Sequence, residues 1–295
     1  IAPAMRRKAL RARRIYDIKR ARAKKNRVVI NGRRQRPDAR AGATCPAAAL
    51  LEVKIFCAAI AQRRYYACSG DSKNACLRAG MGDLILIVIP DGFPGAGGAA
   101  ILAKALCGAK QSGRRYYDLV RSALLSLGLT QCPLCPRLFR FAITNPAAQK
   151  DEIAFILVYS DDNLIAGERY AWKKLQSLLA EKFDITYQEL EDFLGLDLQC
   201  DRDKGQLSIS ATNFAHKLLS QCQLPADASL ACAPGLTSRK IIRGDDEPRA
   251  DVPDPALRQK AGSLNWLAAG IRYDINFATK ELSRAADSPA LAAEE

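Results

Sequence analysis

Two periodicities of apolar residues alternate along this chain, and together they predict a mixture of helices and short strands. Helical spacing places Val53, Phe56, Cys57 and Ile60 on one face of a segment over 50–61. A second stripe, Tyr116, Val120, Leu124 and Leu127, predicts a helix over 113–127 that Gly128 closes. Trp172, Leu175, Leu179 and Phe183 mark a third. Strand-sized apolar runs are expected at 27–30, 65–69, 84–89, 193–199 and 206–210. Asn31-Gly32 ends the first of these, Pro90 stops the third, and Asp201 to Gly205 forms a charged turn between the last two. Residues 94–100 are expected to be a flexible connection, 214–219 and 257–284 mainly helical, and 225–256 loop. Neither a repeat nor βαβ regularity is visible, which favours an α+β fold over a doubly wound sheet.

The sharpest local pattern is a hairpin. Apolar runs at 153–159 and 164–166 flank Ser160-Asp161-Asp162-Asn163, so two adjacent carboxylates fall at the tip of an otherwise apolar unit. Neighbouring negative charges repel, and apolar flanks raise that cost. A divalent cation would remove both problems, and carboxylate oxygens suit Mg²⁺, which often completes its shell with substrate phosphates. An ordinary polar turn is the competing reading. Phosphoryl transfer would need a further carboxylate from a distant segment. Asp71, where a short strand runs into Asp71-Ser72-Lys73-Asn74-Ala75, is the best candidate, although taken alone such a residue is more often a strand-end cap.

Charge adds a partner. The 295 residues carry a net +14, and residues 1–40 alone hold 16 Lys and Arg against Asp17 and Asp38. The remaining 255 residues carry 29 of each sign, so the basicity is a localised arm suited to a polyanion, nucleic acid above all. A tail with little role is the competing view. With 48% hydrophobic residues the chain can bury a core, but no apolar run reaches membrane-spanning length. Ten cysteines without ordered spacing fit a reducing compartment, and no secretory leader is visible, so a cytoplasmic or nuclear location is expected. Cys132-Pro133-Leu134-Cys135 lacks a second ligand pair for zinc. His216, the single histidine, reads as a helix-surface residue.

In order along the chain, these pieces resemble the reverse transcriptase of the Ty1/copia class of LTR retrotransposons. Lys25-Asn26-Arg27-Val28-Val29 with Gly32 and Gln35 is similar to the family's basic fingers strand. Asp71-Ser72-Lys73-Asn74-Ala75-Cys76-Leu77 and Pro90-Asp91-Gly92-Phe93 follow. Then come Lys104 to Ser112 (KALCGAKQS), Tyr159 to Gly167 (YSDDNLIAG), Phe193-Leu194-Gly195, and the blocks at 262–268, 272–275 and 282–284. The likeness spans about 20–286.

The resemblance implies a right-hand polymerase fold. Its divisions would be a basic arm and the start of the fingers over 1–46, fingers and palm over 47–200, and a partial thumb over 201–295. It implies RNA-directed DNA synthesis from a primed RNA or DNA template and deoxynucleoside triphosphates, with two Mg²⁺ ions (or Mn²⁺). Asp71, Asp161 and Asp162 would be the palm carboxylates. Lys25 and Arg27 would approach the triphosphate, and Lys110 and Gln111 would line the nucleotide pocket. Phe193, Leu194 and Gly195 would position the primer end, with Tyr159 beneath the hairpin. No ribonuclease H domain and no membrane role are expected, and oligomeric state is open.

Departures from the family pattern bear on activity. Cys76 stands where the family usually carries Phe, the ring that blocks a ribose 2′-hydroxyl, and Cys107 stands for a Tyr. A catalytically impaired or domesticated palm that only binds nucleic acid through its basic arm is the alternative reading. A purely structural module, which would neither bind nor extend, is a third.

Overall fold

The computed structural model describes residues 9–18, 24–35, 44–46, 48–222 and 255–285. Of the expected loop at 225–256 only Pro255 and Ala256 are described, and they begin a helix; the rest of it and much of the basic arm lie outside these residues.

A first ribbon pairs β1 (Leu10–Ile18) with β2 (Lys24–Ile30) in antiparallel register. A 14-residue helix, α1 (Leu50–Arg63), buries Val53, Phe56, Cys57 and Ile60, the face expected from their spacing. Glu52 accepts the Ala49 N–H at 2.6 Å and so closes its N-terminus. Next come β3 (Tyr66–Ser72), a single helical turn α2 (Ala75–Arg78), β4 (Leu86–Val88) and β5 (Ala99–Ile101). The strand expected over 84–89 is thus only three residues long. Leu84 is exposed, Ile85 buried and Ile89 bonded to the 97–98 turn instead of a partner strand. The connection expected at 94–100 ends in β5, which pairs with β4 and completes a four-stranded sheet in the order β2-β1-β4-β5.

Helix α3 (Ser112–Ser126) buries Tyr116, Tyr117, Val120 and Leu124. It leads to β6 (Thr130–Gln131), β7 (Leu138–Asn145), β8 (Lys150–Tyr159) and β9 (Asp162–Gly167). Helix α4 (Arg169–Lys182) and β10 (Ile185–Gln188) follow. The central sheet has six strands in the order β10-β3-β9-β8-β7-β6. Its middle strands are apolar on both faces: Ile156, Leu157, Val158, Leu164, Ile165 and Ala166 are each at most 1% exposed. Leu175 and Leu179 of α4 join the same core. Burying an aliphatic side chain this fully contributes roughly 1.5–3 kcal/mol, so this doubly covered centre fixes the register of β8 against β9.

Helix α4 is capped from outside. Glu152 of β8 accepts the N–H groups of Tyr170 (2.8 Å) and Ala171 (3.3 Å), while Glu168 accepts the N–H of Ile153 (2.8 Å). Two carboxylates therefore cross over, each satisfying the other segment's backbone.

Contacts divide the chain into two compact units, Ile1–Glu189 and Leu190–Glu295. The second contains β11 (Asp192–Phe193), β12 (Leu196–Asp201), β13 (Gln206–Ser210), and helices α5 (Thr212–Cys222), α6 (Pro255–Gly270) and α7 (Asn276–Ala285). Its three strands form one antiparallel sheet. The single strand expected over 193–199 is broken, because Leu194 (φ 57°) and Gly195 (φ 81°) form a two-residue turn that folds Phe193 back onto Leu196. Positive φ at both positions is the geometry of a tight hairpin, natural for Gly and uncommon for Leu. The whole is a mixed α+β fold with several sheets. Among the described residues no helix is long and apolar enough to cross a membrane.

Candidate active site

The acidic hairpin joins β8 to β9 through only two residues, Ser160 and Asp161, since Tyr159 already pairs with Asp162. Ser160 takes φ 53°, a left-handed conformation that closes the tip. Asp162 and Asn163, grouped with the turn on sequence grounds, belong to β9. Asp71 is also a strand residue, the last but one of β3, and it pairs directly with Asp162 across the antiparallel ladder. Directly opposed residues in such a ladder project from the same face. The Ser72 N–H donates to the Asp161 carbonyl at 2.9 Å, tying the end of β3 to the tip.

A polar chain lies under the tip. Asn163 is 3% exposed, and its Nδ2 donates to both Ser72 Oγ and the Asp161 carbonyl at 3.3 Å. Ser72 is likewise buried, and its side chain acts on the Tyr116 phenol of α3. Burial pushes the Tyr116 pKa up; the Ser72 bond opposes this and the nearby Asp161 charge adds to it. Polar groups left unpaired at such depth cost about 1–3 kcal/mol each, so the chain holds the tip in one arrangement. None of Ser72, Asn163 or Tyr116 stood out in the sequence as a site residue. Buried Asn beside an acidic pair was the available signal.

Cys76 (α2), Arg27 (β2) and Asp161 all act on the Cys107 thiol. The Cys107 thiol is lowered to about 6, chiefly by a hydrogen bond from Cys76 and further by the positive charge of Arg27, with burial and Asp161 opposing. Cys76 moves up, through the same bond, through burial and through the charges of Cys107 and Asp161. Lys25 lies in β2 opposite Asp17.

Lys110 and Gln111, the expected nucleotide-pocket residues, are bonded to Gln35, a few residues beyond β2. Gln35 donates from Nε2 to Gln111 Oε1 (2.9 Å) and accepts the Lys110 N–H at its own Oε1 (2.7 Å). Lys110 Nζ donates to the Gln35 carbonyl at 2.8 Å. Two glycines permit this approach: a Cβ on Gly32 would lie 2.0 Å from the Gly108 oxygen, and one on Gly108 2.1 Å from the Ile30 oxygen. Gly108 also has φ 96°, closed to most side chains.

Phe193, Leu194 and Gly195 belong to the second unit, where Phe193 is 2% exposed and the Trp266 ring faces Gly195. A cavity of about 500 Å³ lined by Ala59, Arg63, Tyr65, Ile153, Phe155 and Glu168 sits at the opposite end of β3 and β9, and contains none of the expected site residues.

Among the described residues, no three or more His, Cys, Asp or Glu side chains converge as a ready-made metal cage. Mg²⁺ is commonly held by only one or two carboxylates together with substrate phosphates, so the donor chemistry of Asp71 and the hairpin fits that ion. A strand-paired aspartate beside an acidic two-residue hairpin, next to a basic ribbon, is an arrangement suited to phosphoryl chemistry. The family profile described as reverse transcriptase (RNA-dependent DNA polymerase) matches residues 3–234, and the chain belongs to that family. It is 27% identical over 271 residues to the retrovirus-related Pol polyprotein from transposon RE2 of Arabidopsis thaliana. The polyprotein from transposon RE1 of the same plant matches equally, at 27% over 271 residues. Each alignment covers 88% of this chain and 17% of the relative, so the chain spans about a sixth of their length.

Proposed function

We propose that the chain acts as an RNA-directed DNA polymerase domain, transferring a nucleotide from a deoxynucleoside triphosphate to a primer 3′-hydroxyl. The observation that carries this reading is the direct pairing of Asp71 with Asp162, with Asp161 held at the tip by the Ser72 N–H. In this reading β3, β8 and β9 form the palm, the β1–β2 ribbon belongs to the fingers, and residues from 201 onward contribute a thumb.

Asp71 and Asp161 would hold Mg²⁺, and Asp162 would support them from the adjoining strand. Bound there, Mg²⁺ lowers the pKa of an attacking hydroxyl and offsets charge on the leaving phosphate. Arg27, with Lys25 on the same strand, supplies positive charge to the triphosphate. Gln35 fixes the Gln111 amide by donating to its Oε1, and Lys110 closes the same junction. Tyr159 supports the primer strand beneath the hairpin, while Phe193, Leu194 and Gly195 shape the primer grip through their turn. Such an enzyme grips phosphates in preference to base edges, because it must accept any sequence.

Primer extension on an RNA template with Mg²⁺ tests this reading. Wild type extends the primer and Asp161→Asn does not; failure of the wild type to extend under any divalent ion would reject it. A second reading, a palm that binds nucleic acid without catalysis, draws on the lack of a three-group metal cage among the described residues. It requires salt-sensitive binding that survives Asp161→Asn, with no extension by either protein.

A further inference from the structure

Cys76 and Cys107 are far apart in sequence, and the fold brings them together beside Asp161. The segments that carry them run antiparallel. Met81 N–H donates to the Ala103 carbonyl (3.0 Å), Gly80 bridges Lys104, and Ala105 N–H donates to the Ala79 carbonyl (2.8 Å). Continuing that ladder leads from Ala79 into α2 and from Ala105 towards residue 107. Both backbones are anchored there: the Cys107 carbonyl accepts the Ile30 N–H (3.0 Å), and the Cys76 carbonyl accepts the Ala79 N–H (3.2 Å). The two thiols perturb one another, Cys107 downward and Cys76 upward. Cys107 is exposed and Cys76 half-buried, so a dissolved reagent meets Cys107 first and finds Cys76 behind it.

We propose that Cys76 and Cys107 form a redox-active dithiol that closes into an intramolecular disulfide by exchange with a low-molecular-weight disulfide such as oxidised glutathione. The Cys107 thiolate attacks one sulfur of glutathione disulfide, breaking its S–S bond. A mixed disulfide forms, and one glutathione thiolate leaves and takes up the proton that Cys107 released. Cys76 then gives up its proton and attacks the Cys107 sulfur, expelling the second glutathione, which takes that proton. Two protein thiols are oxidised and one glutathione disulfide is reduced to two thiols. Arg27 favours the first step by stabilising the attacking thiolate.

The disulfide would tether α2 to the segment that enters α3. Its effect on nucleotide entry rests on the polymerase reading, whereas its formation does not.

The two cysteines fall on separate tryptic peptides, 74–78 and 105–110, each with one cysteine. The full chain is equilibrated in glutathione buffers from fully reduced to fully oxidised, quenched by alkylation, digested and analysed by mass spectrometry without reduction. Expected is a joined 74–78/105–110 species that dominates under oxidising buffer and is lost on adding dithiothreitol. In Cys107→Ser the joined species is absent and peptide 74–78 is recovered alone. Recovery of both wild-type peptides singly, as alkylated or glutathione-bound forms, would overturn the proposal, as would linkage of either to another cysteine. Primer extension by the same samples separates the two questions. A joined species in a chain inactive in both redox states upholds the dithiol and counts against the polymerase.

Discussion

Asp71 and Asp162 sit directly opposite each other across β3 and β9, and the same ladder carries Gly70 against Asn163 and Tyr66 against Gly167. The pairing places two carboxylates on one face of a sheet whose interior is almost wholly apolar, so their mutual repulsion must be relieved by solvent, by a cation or by a ligand. It also makes the acidic site a property of strand register. A slip of one residue would send Asp71 to the other face.

Catalysis and binding separate under substitution. Asp71→Asn and Asp161→Asn each lower primer extension by at least about 10²-fold, the scale of losing one group that stabilises transition-state charge. Retention of a salt-dependent affinity for nucleic acid is expected in both, because neither change touches the 16 Lys and Arg of residues 1–40. Filter binding over a range of salt concentrations, beside extension assays, checks both parts.

The thiol at position 76 predicts weak discrimination between deoxy- and ribonucleotides. On the proposed polymerase reading, Cys76→Phe puts a ring against the nucleotide and raises the ratio of deoxy- to ribonucleotide incorporation by about tenfold or more, the range a steric pocket contact supplies. Single-nucleotide incorporation rates measure it. A strong preference for deoxynucleotides in the wild type would sink the idea.

Gly108→Ala tests the junction between the ribbon and α3. The new methyl group meets the Ile30 oxygen and the residue must hold φ 96°. Such backbone conflicts cost roughly 1–3 kcal/mol. Chemical denaturation reads the loss, and Gly128→Ala, where the added carbon meets nothing within 4 Å but φ is 83°, isolates the conformational part.

Glu152 gives a pH signature. Its pKa lies below the ordinary 4.5, first through the bond from Asn145 Nδ2 (2.7 Å), which outweighs the opposing cost of burial, and then through the Ala171 and Tyr170 N–H groups. A depressed folded value means that its contribution is complete above the unfolded pKa and is lost as pH falls through the folded one. Glu152→Gln is therefore less stable than wild type at neutral pH by about 0.5–1 kcal/mol, the scale of a charge at a helix N-terminus. The gap closes below about pH 4. Urea midpoints at several pH values check this.

Removing the amide beneath the tip tests the polar chain. Asn163→Ala leaves the buried Ser72 hydroxyl with one partner fewer and costs about 1–3 kcal/mol. Asn163→Leu fails similarly, because the buried Ser72 hydroxyl still loses that partner. Thermal unfolding provides the readout.

Much of this was legible from residue order. The stripe Val53, Phe56, Cys57 and Ile60 is the buried face of α1, and the apolar runs around Ser160 and Asp161 are β8 and β9. Strand β7 was carried by the alternation of buried Phe139 and Phe141 with exposed Arg140 and Ala142, a signal masked by its short polar ends. The Leu194–Gly195 turn was hidden because leucine rarely adopts positive φ, so local preference argued for a continuous strand. No local pattern could reveal the meeting of Cys76 with Cys107. It depends on the ladder between 79–81 and 103–105, which tertiary packing alone sets.

The interlock of Gly32 with Gly108 has a mechanical corollary. Because peptide oxygen rather than a yielding side chain fills the space beside each glycine, β2 and the start of α3 cannot slide past one another. Any swing of the ribbon would carry Lys110 and Gln111 along as a single lever.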